Sequence, residues 1–288
     1  MQNAGGYHPK RIGGHVFLII LCFYFLIPLW WLIVAATKNN SSLFISTSGA
    51  LWFGNHFSLF DNVTQLTTYQ AGIYWRWLGN SLLYAILGGG GATIISILAG
   101  YGFAKYRFKG RGFLFMLVLG SVMVPMTALV IPLFVLFNVT GLLNTIWSVI
   151  LPSLLSPVGT YLIRVYCQDA LPDELMDAAR VDGASEVRTF WSVSLPQLRP
   201  AAITVLLLTT VATWNNFFLP SVMLANQKLW PITVGLQNWL VNTTVSSGHE
   251  QIWNLVVSGA FISVIPLVVV FLLLQRYWQS GLTLGSLK

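Results

Sequence analysis

Six stretches of the chain carry no Asp, Glu, Lys or Arg: 16–36, 80–103, 113–136, 144–163, 201–220 and 253–275. Each is 20 to 24 residues long, which is the length of helix that crosses a hydrocarbon layer about 30 Å thick. Together they hold nearly half of the 288 residues, yet none of the 15 basic or 8 acidic ones. A charge at mid-membrane costs roughly 3 kcal/mol on insertion, so spans that enter lipid are cleared of charge. The pattern predicts an all-α, polytopic membrane protein with six transmembrane helices near those stretches. A short N-terminal segment (1–15) precedes one transmembrane domain (16–288).

Composition sharpens this. Hydrophobic residues make up 56% of the chain and charged ones 8%, against about a quarter charged in soluble domains. So few charges cannot coat a water-facing globule, which excludes a soluble enzyme, a nucleic-acid module and a disordered chain. The net charge of +7 matters through its placement. Lys10, Arg11, Lys105, Arg107, Lys109, Arg111, Arg164, Arg180, Arg188, Arg199, Arg276 and Lys288 fall on one face, and only Lys38, Arg76 and Lys228 on the other. Basic residues stay inside, which predicts that both termini are cytoplasmic. The first apolar run is too long for a signal-peptide core of 7–15 residues and is read as a helix. Cys22 and Cys167 differ in depth, so no disulfide is expected. His8, His15, His56 and His249 are scattered through terminal and loop regions, with no metal or nucleophile–base constellation. The chain is read as non-catalytic.

Prolines lie inside the spans at Pro28, Pro125, Pro132, Pro152, Pro157 and Pro266. They predict kinks, or gaps lining a pathway, above all in the third and fourth spans. Gly88 to Gly91 lack the Gly-Lys-Ser/Thr of a phosphate loop and predict close helix contact. No ATP site is read in this chain. The outer segment 37–79 is long enough for a cap of strands or short helices, and the short turn 137–143 makes the helices flanking it antiparallel neighbours.

Six of the eight acids cluster in 164–200: Asp169, Asp173, Glu174, Asp177, Asp182 and Glu186. Pro172 suits a helix start, Asp173 and Glu174 suit its positive dipole end, and Gly183 is a natural stop after Val181. Ser185 is positioned to cap a second helix through Phe190 and Trp191, which Pro196 ends. This predicts a helix–turn–helix at the inner surface displaying a bulky apolar pair.

The run Asp177-Ala178-Ala179-Arg180-Val181-Asp182-Gly183-Ala184, followed by Val193-Ser194-Leu195-Pro196, resembles the "EAA" loop of ABC importer membrane subunits. Asn80-Ser81-Leu82, Tyr101-Gly102-Phe103-Ala104, Trp214-Asn215-Asn216-Phe217 and Gly281-Leu282-Thr283-Leu284-Gly285 agree, and the likeness to the maltose-type carbohydrate-uptake permeases covers nearly the whole chain. It departs in Asp177 for the family's Glu and in Val193 for Ile. The resemblance implies a type I ABC importer (MetI-like) permease fold. It implies a coupling role for Asp177, Ala178, Ala179, Asp182, Gly183, Ala184, Arg188, Phe190, Trp191, Leu195 and Pro196, seated in a groove of an ATPase. Small alanines allow close approach, Phe190 and Trp191 serve as anchors, and Asp177 and Arg188 pair with charges on the ATPase or within the loop. Implied partners are a second homologous permease, two ABC ATPase subunits that hold ATP and Mg, and an extracytoplasmic solute-binding protein. No cofactor is expected on this chain.

A sugar pathway calls for amides and aromatic faces at membrane depth, for which Asn80, Tyr84, Asn144, Tyr161, Trp214, Asn215 and Asn216 are the candidates. The lack of intramembrane acids suits an uncharged cargo and disfavours a proton-coupled carrier. Sugar or oligosaccharide import is the leading reading. Glycerophosphodiester or polyol uptake through the same architecture is the alternative, and a secondary carrier acting alone is a third.

Overall fold

The computed structural model describes residues 9–44, 51–245 and 251–283, with side chains described over 13–44, 51–244 and 251–277. His8, His249, Gly285 and Lys288, used above, lie outside the described residues, as do the side chains of Lys10 and Arg11. Every regular element among the described residues is helical. Among the described residues, four helices are long and apolar enough to span a membrane: Gly13–Ala36, Leu59–Lys105, Trp147–Ala170 and Trp253–Tyr277. Two bent pairs, Arg111–Ser121 with Met126–Val139 and Glu186–Gln197 with Arg199–Trp214, bring the number to six if each is one span.

The chain separates into two compact units, Met1–Gly72 with Asn238–Ser263, and Ile73–Gln237 with Val264–Lys288. In the first, α1 (Pro9–Ala36) exposes its apolar side chains on every face from Val16 to Ile27, whereas Val34, Ala35 and Ala36 are buried. A helix apolar all round needs lipid or a partner chain to cover it. The expected outer cap is helical: α2 (Asn40–Phe44) and α3 (Leu59–Thr68). Neutral amides knit this unit. The Asn62 amide donates to the carbonyls of Ala36 and Lys38, both at 3.0 Å, and the Asn254 amide donates to Asn62 Oδ1 at 2.8 Å.

In the second unit, the helix of the second stretch overruns the expected 80–103. α4 (Ile73–Tyr84) passes through a wide π-type turn at Ala85–Gly90 into α5 (Gly91–Lys105). The glycines there make the close contact foreseen for them. A Cβ on Gly89 would lie 2.9 Å from the Thr210 Cα, and one on Gly88 2.8 Å from the Ser153 Cβ. The third stretch is not one helix, contrary to the reading of 113–136. α6 (Arg111–Ser121) and α7 (Met126–Val139) meet at 101°, with Pro125 extended at the break. Proline holds the residue before it out of the helical region.

The fourth stretch is α8 (Trp147–Ser153) and α9 (Pro157–Ala170), restarted where Ser156 Oγ accepts from the Gly159 N–H at 3.1 Å. Because α9 runs to Ala170, the coupling loop begins after it rather than at residue 164, and Arg164 is helical. The fifth stretch divides into α13 (Arg199–Trp214) and α14 (Phe218–Met223) instead of running 201–220. α15 (Ile232–Val245) and α16 (Trp253–Thr283), with Pro266 inside it, complete the order.

Candidate functional site

Between α9 and α13 stand α10 (Asp173–Val181), α11 (Glu186–Thr189), a π turn at Phe190–Ser194 and α12 (Leu195–Gln197). Asp173 and Glu174 occupy the first turn of α10. Its end is a Schellman turn: Gly183 N–H reaches the Arg180 carbonyl and Ala184 N–H the Ala179 carbonyl, both at 3.0 Å. Gly183 sits at φ +77°, a left-handed conformation that costs a residue with a Cβ roughly 1–2 kcal/mol. Ser185 caps α11 through the Arg188 N–H at 3.3 Å. Pro196 does not end the second helix. The π turn before it supplies the extra room its ring needs, since proline offers no N–H to the preceding turn. The break comes at Leu198, where the chain bends 76° into α13.

The base of this segment is apolar. Met176, Phe190, Leu171 and Leu198 are buried with Tyr101, Ile163 and Cys167. The Phe190 ring packs at a tilt 4.9 Å from that of Tyr101 and is 8% exposed, so it is not an external anchor as expected; it is part of the core. The outer face carries Trp191 (61% exposed), Val187 (68%) and Val181 (88%), with Ala178 exposed and Ala179 buried. Of the remaining coupling candidates, Asp182 and Arg188 are exposed, and Ala184, Leu195 and Pro196 are half-buried.

Ion pairs frame the segment. Lys105 Nζ donates to Asp173 Oδ1 at 2.8 Å and to the Leu171 carbonyl. Arg180 joins Asp177 and Glu186, each at 2.9 Å, so Asp177 is paired within the loop. The hydrogen bond from Lys105 holds the Asp173 carboxyl below its ordinary pKa, and that from Arg180 does the same for Glu186. Burial pushes the Tyr106 phenol up to about 12, leaving it a donor to Glu186 Oε2 at 3.2 Å.

The structure divides the pathway candidates. Asn80, Tyr84 and Asn144 hold a neighbouring segment of chain in place. The Asn80 amide donates to the carbonyls of Lys228 and Trp230 at 2.9 Å, and Tyr84 Oη to the Leu229 carbonyl at 2.7 Å. Asn144, left-handed at φ +56°, accepts from the N–H groups of Ala225 and Asn226 at 3.0 and 2.9 Å. Trp214 is buried, and Tyr161 stacks on Phe115 at 6.5 Å. Asn215 and Asn216 line a cavity of about 560 Å³.

Sequence reasoning missed the other polar groups of that cavity, Ser153, Ser156, Thr209 and Thr213, and the rings of Phe217 and Phe218. Isolated hydroxyls in apolar spans look like packing contacts. The signal that pointed here was the proline pair, since Pro152 lines the wall and Pro157 opens α9 beside it. No charged residue lines the cavity. Rings plus neutral hydroxyls and amides suit a ligand with C–H faces and hydroxyl groups.

The sequence profile of a family described as "Binding-protein-dependent transport system inner membrane component" matches residues 92–283. The arabinooligosaccharides transport system permease protein AraQ of Bacillus subtilis (strain 168) is 33% identical over 288 residues, covering 100% of this chain and 99% of that protein. The protein of the same name from Halalkalibacterium halodurans is 36% identical over 228 residues, 79% of each chain. Among solved structures, a bacterial ABC transporter involved in the import of the acidic polysaccharide alginate matches with a TM-score of 0.80 at 21% identity, over 96% of this chain and 100% of that one. That likeness is one of fold.

Proposed function

This chain belongs to the family of binding-protein-dependent transport system inner membrane components, and from that we propose that it is the membrane-spanning permease subunit of an ATP-binding-cassette importer for a neutral sugar or oligosaccharide. Both termini are cytoplasmic in this reading, which places α10–α12 inside the cell. The chain is non-catalytic. ATP and Mg sit on two ATPase subunits, a second homologous permease completes the pathway, and an extracytoplasmic binding protein delivers the cargo.

The observation that carries the coupling role is the exposure of the apolar side chains Val181, Val187 and Trp191, and in part Leu175, on a helix pair rich in charge. Apolar side chains held out on a rigid, ion-framed base are a docking surface for a protein partner. Ala178 permits close approach beside them. Asp182, Gly183, Ala184 and Arg188 shape the turn and its rim, while Ala179, Phe190, Leu195 and Pro196 support it from beneath.

The cargo reading rests on Asn215, Asn216 and the hydroxyls of the uncharged cavity, together with the arabinooligosaccharide permeases among the relatives. An anionic glycerophosphodiester would leave its phosphate without a partner on these walls. The test is uptake into proteoliposomes holding the complete assembly. Labelled arabino-oligosaccharide is expected to accumulate with ATP inside and to stay outside when the ATPase subunits are omitted. Accumulation without the ATPases would overturn the coupling role, and preference for the phosphodiester would overturn the cargo class.

A further inference from the structure

Two joints interrupt the chain around α10 and α11, one before the pair and one within it. One is Leu171–Pro172, where the backbone leaves the helical region at φ −124°, ψ 84° and then φ −61°, ψ 148°. The other is the Gly183 turn between the two helices. Such joints lack a continuous helical hydrogen-bond ladder, so they yield before the helices they connect.

Each joint is straddled by one cation. Lys105 donates to the Leu171 carbonyl on the α9 side and to Asp173 on the α10 side. Arg180 donates to Asp177 on its own helix and to Glu186 on α11, across the turn. Tyr106, the residue that follows α5, then donates to Glu186.

Lys105 is also the last residue of α5, and its side chain is 9% exposed. α5 lies so close to α9 that a Cβ on Gly100 would sit 2.7 Å from the Ile163 Cβ, and one on Gly159 2.7 Å from Ser96 Oγ. Ser156 and Gly159, at the start of α9, line the cavity. A continuous run of stiff contacts therefore leads from α11 through the two cations to the cavity wall.

We propose that Lys105 and Arg180 are positioning residues that each strap one joint, making the helix pair a single lever whose displacement reaches α5, α9 and the cavity. Without the straps, the same displacement is taken up by bending at Pro172 and Gly183, and ATP is spent with less cargo moved. This rests on the coupling role proposed above. Neither residue touches cargo, and neither belongs to the exposed docking surface.

The test measures ATP hydrolysis and arabino-oligosaccharide uptake together in proteoliposomes of the complete assembly, for Lys105→Met, Lys105→Arg and Arg180→Met. The ATPase subunits are expected to co-purify with all three. Uptake per ATP hydrolysed is expected to fall about fivefold or more in the two Met variants, and Lys105→Arg, which keeps both donor contacts, to recover most of it. Should Lys105→Met fail to insert, Asp173→Asn and Glu186→Gln alter exposed carboxylates in the same straps and are expected to lower the same ratio less steeply.

An unchanged ratio, equal defects in Lys105→Met and Lys105→Arg, or loss of the ATPase subunits from an inserted variant would each overturn the proposal. Cargo movement by the unaltered assembly without ATPases would instead overturn the coupling role itself.

Discussion

Two segments of the second unit lie outside the long helices and are held in opposite ways. Leu224 to Trp230 is fixed mainly by neutral side chains: Trp77 Nε1 donates to the Gln227 carbonyl at 2.8 Å, Tyr84 and Asn80 donate to carbonyls of the same segment, and Asn144 Oδ1 accepts from the Ala225 and Asn226 N–H groups, with Arg76 as a charged donor beside them. Gly235 leaves no room for a Cβ beneath the Trp77 ring. Asp173 to Ser194 is instead fixed by three ion pairs over an apolar base. Neutral hydrogen bonds cost little to bury once paired and ignore salt and pH, so they suit a part that stays put. Exposed ion pairs are each worth about 0–1 kcal/mol and respond to charge brought near them. That suits a part that a partner must move.

The sharpest way to break this contrast lies within one pair of adjacent rings. Phe190→Ala removes core and is expected to destabilise the unit by about 3–5 kcal/mol, read as a large drop in melting temperature in detergent. Trp191→Ala should leave that temperature unchanged and weaken ATPase association by about 2 kcal/mol, read by titrating purified ATPase; equal melting losses for the two would erase the distinction.

On the neutral side, Asn144→Ala loses two hydrogen bonds and the residue suited to φ +56°. About 2–3 kcal/mol of stability should go with it, with no dependence on salt. Gly183→Val puts a β-branched residue at φ +77°, a cost of roughly 1–2 kcal/mol or more. The chain should still insert while its pull-down of ATPase drops about tenfold.

The smallest effect is that of acid. Asp173 and Glu186 have folded pKa values below their ordinary ones, so their contribution is present above the ordinary carboxylate range and fades as pH falls through the lowered values. Amide protection of α10 and α11 against hydrogen exchange, corrected for the intrinsic rate at each pH, should therefore fall in acid, while that of Leu224 to Trp230 stays constant. An equal fall in the second segment would blur the two regions into one.

Much of this was legible from residue types. Charge-free stretches mark what enters lipid, because the cost of a buried charge acts on every residue independently of its neighbours. The Pro172 start, the Gly183 stop and the Ser185 cap are local backbone chemistry, and each falls within a residue of its expected place. The direction of a side chain is different. Phe190 and Trp191 are adjacent aromatics that the sequence cannot tell apart, and a π turn sends one inward and leaves the other out.

What the chain's order of residues determined by itself is its class and the start, stop and cap at Pro172, Gly183 and Ser185, all of which follow from short-range costs of charge, proline and glycine. What only the tertiary structure decided is where each polar group finds its partner. Asn80, Tyr84 and Asn144 are spent on carbonyls and N–H groups 80 to 150 residues away, whereas Ser153 and Ser156 bond within their own turns and line a cavity as well. A hydrogen bond is satisfied by whatever the fold brings within 3 Å, and no local pattern records that partner.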